Sequence, residues 1–253
     1  MTFSWDLYWH WSLHKSTEIN DPVAAGTYIG TALQYQNNAV PNFRTALYKV
    51  TPSNCDAVFA SSILTMAYTV LQSSLPSGSN ARAKSPIEDI LPLFEMVKGI
   101  ASIIEVSRQW LDRGPLGVML ESQLQASGGD DAMSPVRHLY KLNDIATGTM
   151  NFSLHKVYSS AIKGLEKCFT EDKRKAIPWL VMVGDEYINE FRREEPLALL
   201  IFLYWGVLLD RLDELWWAKC SGRRFVEKFS KCVLGHGQEW DEAIRWAQAQ
   251  VDL

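Results

Sequence analysis

The sequence lacks the closely spaced cysteines that zinc sites and disulfide frameworks require. Its 253 residues include four cysteines, and no two of them form a Cys-x2-Cys pair. That pattern excludes the usual zinc spacings and a dense set of disulfides. We therefore expect buried, reduced thiols, as in an intracellular protein of the cytoplasm or nucleus. The four are Cys55, Cys168, Cys220 and Cys232.

An excess of positive charge is also absent. The formal net charge is -4, and the basic residues are scattered along the chain. We therefore expect no direct binding to nucleic acid. The N-terminus has no basic start followed by an apolar core, so no secretory signal is expected. The uncharged run from Leu197 to Leu209 is well short of the ~20 residues of a membrane helix, and no membrane association is expected.

Motifs for nucleotide cofactors and for serine hydrolases are missing as well. The sequence contains no Gly-x-Gly-x-x-Gly, no phosphate loop and no Gly-x-Ser-x-Gly. Asp210, Asp213 and Glu214 only loosely approach the acidic spacing of metal-dependent terpene synthases, and Arg211 lies between them. We interpret these charges as the solvated end of a buried helix. No cofactor and no metal are expected.

Sustained period-two alternation, the pattern of strands, is absent, whereas apolar residues recur at helical spacing along most of the chain. We predict an all-α fold: a single helical-bundle domain over residues 1–253, with about ten helices. Polar stretches at 72–85 and 126–134 are predicted to be flexible loops.

Tryptophan is plentiful, since the chain contains 10 of them. Tryptophan combines a large apolar area with one N–H donor, and is common where a core meets a ligand or a partner. The stretch from Pro196 to Trp217 is the most apolar helix candidate. Pro196 suits a first helical turn, and the uncharged run after it predicts a central helix buried on all sides.

Residues 3–16 are aromatic and carry two histidines. If this segment is helical, Asp6, His10 and His14 lie on one face. A third metal ligand is missing, so a half-buried, hydrogen-bonded His10 is expected rather than a metal site. A histidine among indoles can also donate or accept a proton, because its pKa lies near neutrality.

Several short motifs follow one another at a distinctive spacing. They are Ala32–Ala39, Phe43-Arg44, Asn54–Ser61, Gly99-Ile100, Trp110-Leu111, Gly114–Leu116, Pro196–Leu199 running to Trp216-Trp217, Gly222–Arg224, Glu239-Trp240 and Ile244–Trp246. In order and spacing they resemble the C-terminal regulatory domain of fungal zinc-cluster transcription factors, and within that family the group of the sterol uptake control protein. The resemblance covers most of the chain from about Tyr28 onward.

The resemblance implies an all-helical domain around an apolar pocket, where ligand binding controls activation. It implies deep pocket walls near Tyr204, Trp205 and Leu208, and it suggests a homodimer. The sequence departs from the family in three respects. It has no six-cysteine cluster, it shows no helix before the Trp5–Trp11 region, and it carries Cys220–Gly222 where the family tends to have a tryptophan between two glycines.

Two hypotheses follow. In the first, a stand-alone descendant of the domain binds a hydrophobic fungal secondary metabolite (a polyketide, a terpenoid or a sterol-like molecule) and transforms it without a cofactor. Dehydration, isomerisation and pericyclic or hetero-Diels–Alder cyclisation need an enclosed pocket and a few hydrogen-bond donors. The assigned catalytic residues are His10, Asp6 and Tyr204, and the assigned ligand-binding residues are Trp5, Trp9, Trp11, Trp205, Leu208 and Trp216.

In the second hypothesis, the chain is the sensor domain of a zinc-cluster transcription factor, which binds a sterol-like effector and turns nothing over. The domain-only length favours the enzyme. A purely protein-binding adaptor leaves the abundance of aromatic residues unexplained.

Overall fold

A computed structural model describes residues 22–74, 85, 87–117, 135–148, 151–170, 172–212 and 215–253. Every regular element within these ranges is helical, which confirms the all-α class. The α-helices are α1 (Pro22–Leu47), α2 (Cys55–Ser74), α3 (Leu91–Leu111), α4 (Arg137–Thr147), α5 (Phe152–Thr170), α6 (Ala176–Met182), α7 (Gly184–Arg192), α8 (Pro196–Asp210), α9 (Trp216–Cys232) and α10 (Gln238–Gln250), and Lys173–Lys175 form a 3-10 turn.

The chain divides into two compact units. The first comprises Met1–Thr69 and Lys98–Leu124, and the second Val70–Val97 and Gln125–Leu253. Each unit is described by itself below. The prediction that residues 1–253 form a single ligand-binding domain stays a prediction.

In the first unit, α1 continues through Pro41, which lies inside the helix. A turn then leads into α2. The Asn54 side chain accepts a hydrogen bond from the Thr51 backbone N–H at 2.7 Å and donates one to the Lys49 carbonyl oxygen at 3.0 Å. Such side-chain hydrogen bonds to nearby backbone groups are why asparagine favours turns. The residue types Thr-Pro-Ser-Asn at 51–54 predict a turn, and the structure has a turn there.

By length and composition, α2 is the one helix among the described residues that would suffice to cross a bilayer. The core helix of a globular protein has the same composition. Half of the most apolar stretch of α2 is buried within the protein.

The second unit is built around α8. Pro196 occupies its first turn, and every residue from Leu197 to Leu209 is buried, as the uncharged run predicted. Around Phe202 the rings lie 4.9–6.1 Å apart between centroids, distances typical of packed aromatic pairs. The rings that surround Phe202 belong to Phe94, Phe191, Trp205, Phe225 and Phe229.

Helices α8 and α9 cross in backbone contact at two glycines. A Cβ atom on Gly222 would lie 2.6 Å from both the Gly206 carbonyl oxygen and the Asp210 Cα. Because α9 runs back across α8 at this point, the chain has to reverse after Asp210. The apolar stretch predicted from Pro196 to Trp217 is therefore divided: Trp216 and Trp217 begin α9 and do not belong to the central helix.

Two other boundaries differ from the sequence pattern. Apolar residues recur at helical spacing from Pro178 to Arg193, which predicts one helix. The structure has two instead: α6 ends at Met182 and α7 begins at Gly184, whose φ of 79° lies in the left-handed region that favours glycine. The loop predicted at 72–85 begins later, because α2 extends to Ser74. The remainder of that loop up to residue 84, and all of 126–134, lie outside the described residues.

Candidate functional site

Three of the predicted site residues are described with their side chains, and all three lie on α8. Tyr204, Trp205 and Leu208 each have 0% of their surface exposed. Burial of this degree confirms that the central helix has a protein environment on all sides. It also means that any ligand would have to reach these side chains through other parts of the protein.

The polar atom of Trp205 is already satisfied. Its indole N–H donates to the carbonyl oxygen of Ala176, at the start of α6, with 2.7 Å between nitrogen and oxygen. The ring stacks on Phe202 at 4.9 Å with an interplanar angle of 30°. Trp205 therefore joins α6 to the aromatic core through one hydrogen bond and one ring contact.

The Tyr204 side chain also has its hydrogen-bond partner and its ring contact within the protein. Its hydroxyl donates to the Ala243 carbonyl oxygen of α10 at 3.3 Å, and its ring stacks on Trp246 at 4.8 Å. Burial raises the pKa of the Tyr204 phenol well above its ordinary value. The group stays protonated at neutral pH, so it can donate a hydrogen bond but cannot serve as a base.

The other assigned residues cannot be placed beside these three. Asp6, His10, Trp5, Trp9 and Trp11 lie outside the described residues, and so does the side chain of Trp216, although its backbone begins α9. The predicted constellation and the predicted apolar pocket stay predictions. The described site residues are thus Tyr204, Trp205 and Leu208, which lie close together in the C-terminal half of α8.

A cleft of about 240 Å³ opens between α5 and α6. Sequence reasoning did not identify it. Gly164 allows α5 to pack closely against Trp179 at the cleft, because a Cβ atom there would lie 2.8 Å from the Trp179 ring. The Trp179 indole N–H donates to the Ala161 carbonyl oxygen at 2.9 Å. The cleft is lined by Ser160, Ala161, Lys163, Gly164, Lys167, Trp179, Met182 and Val183.

A serine, a histidine and an aspartate also lie in a row between α4 and α5, and no sequence motif indicated this arrangement. Ser159 Oγ lies 3.5 Å from His155 Nδ1, and His155 Nε2 lies 2.9 Å from Asp144 Oδ1. The first distance is at the limit of a hydrogen bond, and 73% of the Asp144 side chain is exposed. A catalytic aspartate of this kind is buried and orients the histidine.

The neighbouring Asn143 points to a structural role for this group. It is buried, and its side-chain amide donates to the His155 carbonyl oxygen at 3.0 Å and to Ser159 Oγ at 2.9 Å. These bonds join α4 to α5 and satisfy a buried amide. Within the described part of the chain, no group of three or more His, Cys, Asp or Glu residues could hold a metal ion.

The chain is similar to one curated protein described as a Zn(2)-C6 fungal-type transcription factor, from Gibberella zeae. The two are 23% identical over 211 residues, which is 78% of this chain and 42% of that protein. The chain thus spans about two fifths of the length of this relative. No family model matches the chain, and no solved structure does. The similarity supports, at most, a relation to fungal regulators of this kind.

Proposed function

We propose that this chain is a ligand-responsive regulatory domain related to those of fungal zinc-cluster transcription factors. The observation that carries the proposal is the similarity itself, which extends over 78% of this chain but over only 42% of a transcription factor. A helical segment that matches part of a regulator suits a role in sensing. With four cysteines in all, the chain cannot contain a six-cysteine cluster. DNA contact would thus come from elsewhere.

The effector we propose is a hydrophobic, sterol-like molecule, bound near the α8 residues Tyr204, Trp205 and Leu208. The α-helical architecture and the aromatic surroundings of α8 support this choice, since ligand sites are lined mainly by apolar and aromatic side chains. The proposal includes an intracellular, nuclear location and a homodimer, both of which follow from the relation to regulators.

Binding without turnover fits the chemistry of the described residues better than catalysis does. Tyr204 and Trp205 each donate their one polar hydrogen to a backbone carbonyl oxygen. A donor that stabilises a transition state has to be aimed at the reacting atoms instead. The cofactor-free enzyme hypothesis, including hetero-Diels–Alder cyclisation by His10, Asp6 and Tyr204, stays a prediction from the sequence.

The test is to titrate the full chain with ergosterol, following tryptophan fluorescence, and to recover the bound molecule for mass spectrometry. We expect saturable binding and an unchanged ligand. Fused to a heterologous DNA-binding domain, the chain should change reporter output when ergosterol is supplied.

A matched pair of variants locates the site. Leu208 and Leu199 are both buried in α8, with 0% and 3% exposed. Truncating either to alanine should cost similar stability, roughly 2–5 kcal/mol, but only L208A should weaken ergosterol binding. Equal affinities for the two variants would move the site elsewhere. A recovered ligand of altered mass would favour the enzyme, and absence of both binding and reporter response would overturn the proposal.

A further inference from the structure

We propose that the α5–α6 cleft is a second binding site, which takes a small anionic amphiphile: a carboxylate with a short apolar body. This inference goes beyond the proposed function, because the cleft is lined by none of the residues assigned to the sterol-like effector. It stands whether or not the chain is a regulator.

The floor of the cleft is apolar and holds no unused donor. Trp179 and Ala161 are 1% exposed, and Val183 is 8% exposed. The Trp179 N–H is already bonded to the Ala161 carbonyl oxygen, so the buried indole keeps no free donor at the bottom of the cleft. Met182 stands at the edge with 67% of its surface exposed. A flexible thioether of this kind adapts readily to an apolar guest.

The rim of the cleft carries two lysine side chains. Lys163 and Lys167 lie one turn apart on α5, and both are exposed. Neither forms an ion pair or a side-chain hydrogen bond with any residue in the described ranges. The nearby Glu166 carboxylate accepts a hydrogen bond from the Tyr140 hydroxyl of α4, at 3.0 Å.

Two like charges four residues apart destabilise a helix by about 0.2–0.5 kcal/mol. An anion held between the ammonium groups would remove this repulsion. The Ser160 hydroxyl, also in the lining, supplies a neutral donor beside them. The cleft thus pairs an apolar surface for the body of a ligand with positive charge for its head.

The volume of the cleft limits the size of its occupant. About 240 Å³ is below the roughly 300–1,000 Å³ typical of pockets for drug-sized ligands, and a sterol would extend beyond it. A short-chain or single-ring carboxylate suits this volume. The competing occupant is an acidic peptide segment of a partner protein, and the test includes it.

The test is titration of the full chain with octanoate and, separately, with uncharged octanol, followed by NMR of 13C-methyl-labelled methionine. We expect octanoate to shift the Met182 methyl signal in a saturable way and to bind at least ten-fold more tightly than octanol. The double variant K163Q/K167Q should lose about ten-fold in octanoate affinity and little in octanol affinity. Raising the salt concentration should weaken octanoate alone, since exposed charges are screened.

Lys156 supplies the matched control, because it is an exposed lysine of α5 outside the cleft lining. K156Q should bind octanoate as the unaltered chain does. The proposal is overturned if K156Q and K163Q/K167Q lose affinity equally, if octanoate leaves Met182 unshifted, or if an acidic peptide shifts Met182 where octanoate fails. All three substitutions lie on the surface, so the variants should fold, and unchanged circular dichroism would verify it.

Discussion

Trp205 and Trp179 have the same degree of burial and the same kind of hydrogen bond, but they lie in different surroundings. Both are almost fully buried, at 0% and 1% exposure, and both donate the indole N–H to a carbonyl oxygen of an earlier helix. Trp205 is enclosed by the ring cluster around Phe202, whereas Trp179 forms the floor of an open cleft. Lys163 and Lys167 line the cleft beside Trp179, whereas the rings packed around Trp205 carry no charge.

The largest effect should come from the ring cluster around α8. Phe202→Ala removes the central ring and should cost about 3–5 kcal/mol in the free energy of unfolding, because the cavity cannot collapse among fixed aromatic neighbours. Urea unfolding measures this. The control is Phe152→Ala: that side chain is 78% exposed, and its loss should change stability by less than about 0.5 kcal/mol. Equal effects would mean that the two regions do not differ in packing.

The next effect tests the α8–α9 crossing. Gly222→Ala places a Cβ atom 2.6 Å from the Gly206 carbonyl oxygen, so the helices must separate, and we expect a loss of about 1–3 kcal/mol. Gly99→Ala on α3 is the matched control, since no atom lies within 4 Å of its added Cβ. It should gain up to about 1 kcal/mol from helix propensity. A stabilised G222A would show that the close crossing is absent.

A smaller, pH-dependent effect is expected at the turn between α5 and α6. Burial alone would raise the pKa of Asp172, but hydrogen bonds from the Arg174 side chain and backbone, with the charges of Arg174 and Lys175, outweigh it and lower that pKa. The carboxylate accepts from the Arg174 backbone N–H at 2.9 Å as an N-cap.

Because the folded-state pKa is lowered, the stabilisation from Asp172 is present above the unfolded pKa of about 3.9 and is lost as pH falls through the folded value. Asp172→Asn should lower the free energy of unfolding by about 1 kcal/mol at pH 7. This deficit relative to the unaltered chain should become smaller in acid. Urea unfolding from pH 7 down to pH 2 measures both. A deficit that stays constant over this range would contradict the role of the ionised carboxylate.

The smallest effect is expected at the cleft rim. K163Q/K167Q removes two like charges one turn apart and should raise stability by about 0.2–0.5 kcal/mol at low ionic strength. The gain should vanish in high salt, because screening already weakens the repulsion. A loss of stability would mean that the repulsion is outweighed, for example by the interaction of Lys167 with the C-terminal end of the α5 dipole.

The helical class and the burial of α8 could be predicted from the sequence because both depend on local pattern. Thirteen successive uncharged residues, Leu197 to Leu209, leave a helix no side to expose to water, and each is buried. The turn at residues 51–54 was readable for the same reason, because Asn54 bonds to backbone groups only a few residues away. The assigned residues before Asn20 lie outside the described ranges, so those assignments stay predictions.

Helical periodicity and uncharged runs are properties of neighbouring residues, so the order of amino acids already specifies that helices form and which of them is central. The end of α8 and the close packing of α5 against Trp179 are set only when distant parts of the chain come together. Both depend on glycines that meet a distant part of the chain: Gly222 against Gly206, and Gly164 against Trp179. A glycine in the sequence does not indicate which group will pack against it, because that contact forms only when the helices pack.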